Sequence, residues 1–114
     1  MKKTVLTALV CLSFASPALA DDEIADIYKA KCKSCHGETG DGDTKTGRKE
    51  KIDDLSLPAW QKKHSDEEIR KVISEGSPDK SSTGEASKMK PFKDKLSAAE
   101  IDGLVKYIRG LAKK

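Results

Sequence analysis

Hydrophobic residues recur at helical spacing in three stretches of the chain, and no stretch alternates polar and apolar residues as a strand does. The first stretch begins among acidic residues, which favour a helix N-terminus, and places Ile24, Ile27 and Tyr28 on one side. It predicts a helix that runs from about Asp22 into residues 32–36. The pattern as a whole predicts an all-helical domain.

Two further helices are marked by a serine with a glutamate three residues later, the pattern of a capping box. Ser65 and Glu68 precede an apolar stripe that Gly76 ends, and Ser97 and Glu100 precede a longer stripe. The buried side of this last helix is expected to comprise Ile101, Leu104, Val105, Ile108 and Leu111. Three connecting segments are expected to be loops, the second with at most one helical turn: residues 37–50, 52–60 and 77–95.

The first twenty residues have the pattern of a secretory signal peptide. Lys2 and Lys3 precede an apolar run at residues 5–15 that is too short to span a bilayer, and small residues follow at 18–20. Removal of residues 1–20 would leave one domain, residues 21–114. We therefore expect an exported protein, periplasmic in a bacterium, with no stable membrane anchor.

The candidate chemistry lies in the sequence Cys32-Lys33-Ser34-Cys35-His36, which is the attachment signature of a c-type haem. On a helix the two cysteines lie about one turn apart on the same face, so each sulfur can reach one vinyl group of a porphyrin. His36 then offers an imidazole nitrogen to the iron. We expect one covalent haem c, bound through Cys32, Cys35 and His36.

Three other roles of the two cysteines have different requirements. A structural zinc site needs four ligands, and beyond the motif the processed chain offers only His64. A thioredoxin-like redox pair needs a preceding strand, whereas a charged helix is predicted there. A structural disulfide between Cys32 and Cys35 stays open, although it gives His36 no role.

The net charge of the chain is small. The chain has 22 basic and 19 acidic side chains and a net charge of +3, which falls to +1 without the two lysines of the signal segment. This balance does not indicate nucleic-acid binding.

Ordering the backbone costs about 1–2 kcal/mol per residue, and the processed chain has few large apolar residues to offset it. A haem would fill the missing core, so we expect poor folding without it.

Met89 is the only methionine that remains after signal removal. A lone methionine usually fills a gap in a core, but Met89 lies in a polar segment just before Pro91 and Phe92, where a haem face would be its apolar partner. We expect Met89 to be the second axial ligand of the iron. The competing candidate is His64, which lies among lysines ahead of a helix cap and is expected to be a surface residue.

Several segments resemble the small mono-haem class I cytochromes c: Tyr28, four residues before the motif, and residues 60–68, 89–92 and 104–108. The resemblance covers essentially the whole processed sequence. It implies the all-α cytochrome c fold, with three main helices and with the N- and C-terminal helices crossing around a covalently bound haem. It also predicts contacts of Ile24 and Tyr28 with Leu104 and Tyr107.

An iron bound by His36 and Met89 has no open coordination position. We therefore expect a soluble periplasmic carrier that transfers one electron at a time through the haem edge, is not an enzyme, and meets redox-partner proteins transiently as a monomer. Two alternatives remain: a haem enzyme (a small peroxidase or a nitrite-handling protein), and a gas sensor in which Met89 is displaced.

Six lysines form either a basic docking rim or part of a mixed-charge surface: Lys31, Lys33, Lys88, Lys90, Lys93 and Lys95.

One departure from the family pattern concerns the proximal histidine. Members commonly carry Gly-Pro after the motif, and the proline carbonyl accepts the free N–H of that histidine. Here Gly47 is followed by Arg48, so the acceptor for His36 is unassigned.

Overall fold

The computed structural model of the chain describes residues 20–77 and 89–113. Within these residues the structure is helical and has no strand. In chain order the helices are α1 (Asp21–Lys31), α2 (Lys33–His36), α3 (Lys45–Glu50), α4 (Pro58–Lys63), α5 (Asp66–Glu75) and α6 (Ala98–Gly110). The three longest, α1, α5 and α6, are those that the hydrophobic pattern predicts, so the all-α fold with three main helices is confirmed.

The expected signal peptide lies outside the described residues except for Ala20, and it stays a prediction. Across residues 20–77 and 89–113, no helix has the length and apolar character needed to cross a membrane.

The N- and C-terminal helices pack closely because a glycine lies at their contact. A Cβ atom on Gly103 of α6 would lie 2.5 Å from Cδ1 of Ile24 on α1. One turn further along α1, the rings of Tyr28 and Tyr107 lie 4.8 Å apart between centroids. Leu104 is buried in the same core. The predicted packing of the terminal helices is therefore confirmed, and Gly103 sets how close they approach.

Helix α5 packs on α6 through buried Ile69 and Ile73, and the Arg70 Nε atom lies 2.5 Å from Asp102 Oδ1 at the edge of this contact. The order α1–α6–α5 places α6 between the other two long helices. Both α1 and α5 are therefore fixed to α6.

The two predicted capping boxes differ in the structure. At α6 the box is complete, because Ser97 Oγ accepts from the Glu100 amide at 3.1 Å and the Glu100 carboxylate accepts from the Ser97 amide at 2.8 Å. At α5 only the first half forms: Ser65 Oγ accepts from the Glu68 amide at 3.2 Å. The Glu68 carboxylate lies instead 3.2 Å from Nδ1 of His64.

Three predicted boundaries are wrong. The helix expected to run into residues 32–36 breaks at Cys32, so that α1 and α2 are separate. The loop expected at 37–50 contains α3, whose N-terminus is capped by Thr44. The segment at 52–60 leads into a longer helix, α4, because Pro58 occupies its first turn, where a missing N–H carries no cost.

Two polar side chains connect α4 to the end of α6. Gln61 Nε2 donates to the Ile108 carbonyl at 3.0 Å, and the Arg109 guanidinium donates to the carbonyls of Gln61 and His64, both at 2.6 Å. The same guanidinium pairs with Asp66 at 2.7 Å. These bonds fix α4 and the start of α5 on α6.

Candidate functional site

The cysteine motif forms a single helical turn. The amides of Cys35 and His36 donate to the Cys32 carbonyl at 3.2 and 2.9 Å, and α2 ends at Gly37, whose φ is +84°. Cys32 and Cys35 therefore lie one turn apart, as the spacing predicts. Both thiols are free and partly buried, so the two cysteines are not joined in a disulfide.

Tyr28 holds the end of this turn from α1. Its hydroxyl donates to the Gly37 carbonyl at 2.7 Å, and its side chain is almost completely buried. Burial raises the pKa of the Tyr28 phenol well above its usual value, and the charges of Cys32, Tyr107 and Asp41 act in the same direction. The hydroxyl therefore stays protonated, and a hydrogen-bond donor, at neutral pH.

Thr44 holds the same turn from α3. Its hydroxyl donates to the Cys35 carbonyl and accepts from the Gly47 amide, both at 2.8 Å, while the Gly42 amide donates to the His36 carbonyl at 2.8 Å. A Cβ atom on Gly47 would lie 2.1 Å from the Gly42 oxygen and 2.7 Å from the Cys35 oxygen. Only glycine at 47 lets α3 lie this close to the motif.

The imidazole of His36 is partly buried, and its surroundings favour the neutral form. Its Nδ1 atom is buried and has no hydrogen-bond partner among the residues that the structure describes. Burial lowers the pKa of His36, because the charged form loses its hydration. Arg48 supplies no replacement for the proline of the family pattern: its amide donates to the Thr44 carbonyl within α3, and its guanidinium pairs with Asp43 at the surface.

Cys32 lies against the hydrophobic core. Burial raises the pKa of its thiol to about 11, with a further contribution from Cys35 that the positive charge of Lys31 opposes. The thiol is therefore protonated at neutral pH.

Met89 packs against the same hydrophobic core as Cys32, together with Trp60 and Phe92. It lies beside the C-terminal end of α5, where its amide donates to Ser77 Oγ at 2.9 Å and its carbonyl accepts from the Ser77 amide at 3.1 Å. The structure thus brings Met89 to the core that Cys32 also contacts.

His64, the competing ligand candidate, has protein partners of its own. Its ring lies 4.7 Å from the Trp60 ring between centroids, and its Nδ1 atom faces Glu68. It is partly buried, so it is less exposed than the solvated surface residue that the sequence predicts.

Comparison with known proteins identifies the family. Residues 19–108 match the model of a family described as cytochrome C oxidase, cbb3-type, subunit III. The chain belongs to this family and is a small c-type cytochrome. The cytochrome thus has covalently bound haem c as its cofactor and electron transfer as its general function.

Solved structures of related cytochromes agree with this result. The KustC0563 c-type cytochrome is 36% identical, with a TM-score of 0.67 over 78% of this chain and 96% of that one. A tyrosine-to-phenylalanine mutant of Kustc0563 is 33% identical, with a TM-score of 0.64 over 77% and 96% of the two chains. No curated protein matches the sequence.

Replacing Thr44 by valine should destabilise the cytochrome without changing side-chain shape. Thr44→Val leaves the Gly47 amide and the Cys35 carbonyl without this partner, and we expect the free energy of unfolding of the haem-loaded protein to fall by about 2 kcal/mol. Denaturant titration measures the change. Thr44→Ser should retain most of the stability.

Thr46→Val is the matched control for this substitution. Thr46 is exposed on α3 and its side chain makes no hydrogen bond within the described part of the chain, so a change below about 0.5 kcal/mol is expected. Equal losses for the variants at 44 and 46 would contradict the role of the Thr44 hydroxyl.

Proposed function

We propose that Cys32 and Cys35 carry the thioether bonds to one haem c, and that His36 and Met89 are its axial ligands. The observation that carries this proposal is a partly buried imidazole, with an enclosed Nδ1 atom and a lowered pKa, at the end of the helical turn that holds two unpaired thiols. A metal binds the neutral form of histidine. Because Nδ1 is enclosed by protein, Nε2 is the ring nitrogen available to the iron.

Each of the other residues also fits the cofactor. A protonated Cys32 thiol on the core and a Cys35 thiol one turn away give two sulfurs on one side of the turn. Met89 presents a thioether, a soft ligand suited to haem iron, at the same core. Bound haem supplies a one-electron redox centre.

From this ligand set we propose an electron carrier. With His36 and Met89 both bound to the iron, oxygen, peroxide and nitrite would have no vacant position to bind. A thioether ligand also favours the reduced iron and raises the potential relative to two histidines. A haem enzyme or a gas sensor would need Met89 to be absent from the iron or easily displaced.

We also propose that the cytochrome is exported to the periplasm with residues 1–20 removed. The charged, apolar and small-residue regions of this segment support the proposal. The family match begins at residue 19 and thus agrees with a domain that starts at residue 21.

Replacing Met89 by alanine should convert the cytochrome into a ligand-binding haem protein. The oxidised parent should show the weak far-red absorption band of sulfur bound to iron, and Met89→Ala should lose it. The reduced variant should also bind carbon monoxide rapidly, because one axial position is open. Absorption spectroscopy measures both changes.

His64→Ala is the control for ligand identity. It should keep the far-red band and the slow carbon monoxide binding of the parent. If instead the alanine variant at 64 loses the parent spectrum while the variant at 89 keeps it, the ligand assignment is wrong.

We propose further that a basic rim forms the docking surface for acidic redox partners. Its described members are exposed and make no ion pair within the described residues: Lys31, Lys33, Lys90, Lys93 and Lys95. Lys88, the sixth predicted member, lies outside the described residues. Glu38 and Asp94 are exposed nearby in sequence, so the rim is positive but not uniformly so. Such a surface increases association rates with partners of opposite charge.

Reversing one rim charge should slow electron transfer to an anionic oxidant. At low salt, Lys90→Glu should reduce the rate with ferricyanide about 2–5-fold and raise it with a cationic cobalt complex, because the local field changes sign. Stopped-flow absorbance measures both rates. Lys62→Glu makes the same charge change on α4, outside the rim, and should have a smaller effect; equal effects would contradict the docking surface.

A further inference from the structure

The C-terminal end of α5 binds the segment that carries Met89. The last carbonyl groups of a helix have no partner within the helix. Here the Ile73 carbonyl accepts from the Phe92 amide at 2.9 Å, and the Ser74 carbonyl accepts from the Lys93 amide at 3.1 Å. The end of α5 therefore serves as a backbone template for residues 89–93.

Gly76 makes a closer approach possible. Its φ is +84°, and a Cβ atom there would lie 2.7 Å from the Met89 oxygen and 3.2 Å from the Pro91 nitrogen. Any other residue would strain the backbone and push the Met89 segment away from the helix.

Ser77 completes the contact with a reciprocal pair of bonds. Its amide donates to the Met89 carbonyl at 3.1 Å, and its hydroxyl accepts from the Met89 amide at 2.9 Å. Both backbone polar groups of Met89 are thus bound by one residue. Four hydrogen bonds join residues 73–77 to residues 89–93. Three of these are between backbone groups, and the fourth is the bond to the Ser77 hydroxyl.

We propose that Ser77 is a positioning residue for Met89, and that its hydroxyl keeps the thioether on the haem iron. This inference rests on the proposed axial ligation by Met89. For the thioether to leave the iron, the backbone at 89 has to shift, and the bond from its amide to Ser77 Oγ opposes that shift. Loss of the bond leaves a partly buried N–H without its partner, which favours the shifted state.

The helix that precedes Ser77 is itself held by packing. Helix α5 is fixed on α6 through buried Ile69 and Ile73 and through the pair of Arg70 with Asp102. A displacement of Met89 therefore separates it from α5 and does not carry α5 with it. Through Ser77, the packing of α5 on α6 therefore fixes the position of Met89.

The test uses the haem-loaded cytochrome and three variants. Ser77→Ala removes the hydroxyl and keeps the backbone bond to the Met89 carbonyl. Ser77→Thr keeps a hydroxyl and should behave as the parent. Ser74→Ala is the matched control, because the Ser74 side chain makes no hydrogen bond in the described part of the chain, although its carbonyl does. Imidazole binding to the oxidised protein and the far-red band report on Met89.

We expect Ser77→Ala to bind imidazole about fivefold more tightly than the parent and to show a weaker far-red band. Imidazole has to displace Met89, and the loss of one hydrogen bond makes this displacement easier by about that factor. Ser77→Thr and Ser74→Ala should match the parent. Thermal unfolding of all four proteins separates positioning from simple stabilisation. A lower melting temperature of Ser77→Ala with unchanged imidazole affinity would overturn the inference.

Failure of the inference and failure of the ligand assignment give different results. A parent that shows the far-red band, with a Ser77→Ala variant that matches it in band and imidazole affinity, overturns the role of Ser77 alone. A parent without the band overturns Met89 ligation and the role of Ser77 with it.

Discussion

The structure depends on how one short helical turn is held in place. Helix α2 has four residues, too few to satisfy its own backbone groups or to be stable alone. Its terminal carbonyls are bound instead by the Tyr28 hydroxyl, the Gly42 amide and the Thr44 hydroxyl. The orientation of His36 therefore follows from the position of α1 and α3, to which these donors are fixed.

Helix α6 connects the two halves of the candidate site. On one side it receives α1, with Ile24 against Gly103 and Tyr28 against Tyr107. On the other side it receives α5, whose end binds the segment with Met89. The segments that carry the proximal and distal candidates are thus held by different helices, α1 and α5, which both pack on α6, and Cys32 and Met89 contact the same hydrophobic core. The two proposed iron ligands, His36 and Met89, are more than fifty residues apart in sequence, and the helices that hold their segments both pack on α6.

The sequence predicts the long helices and the cofactor chemistry well, because both have local signals. The apolar periodicity of α1, α5 and α6 reflects a buried face, and the cysteine-histidine spacing reflects one helical turn. The short helix α3 has no such signal: its residues are almost all polar, and it is held by the Thr44 cap and by the close approach at Gly47. The break at Cys32 depends likewise on contacts that are distant in sequence.

Other features depend on which of two partners a side chain contacts, or on contacts between residues that are distant in sequence. The Ser65 capping box is incomplete since Glu68 faces His64 instead of the Ser65 amide. Ser77 has no pattern of its own, and its role is visible only where Met89 returns to the end of α5. The acceptor for His36, which the sequence left unassigned, is absent among the described residues as well.

Proton NMR of the reduced, haem-loaded protein tests the central claim most directly. A methionine methyl group held against a porphyrin is shifted far upfield by the ring current. The chain has two methionines, and Met1 belongs to the segment proposed to be removed. We predict a single upfield three-proton signal that disappears when methionine is supplied with a deuterated methyl group. Absence of this signal, together with rapid binding of carbon monoxide, would contradict the account.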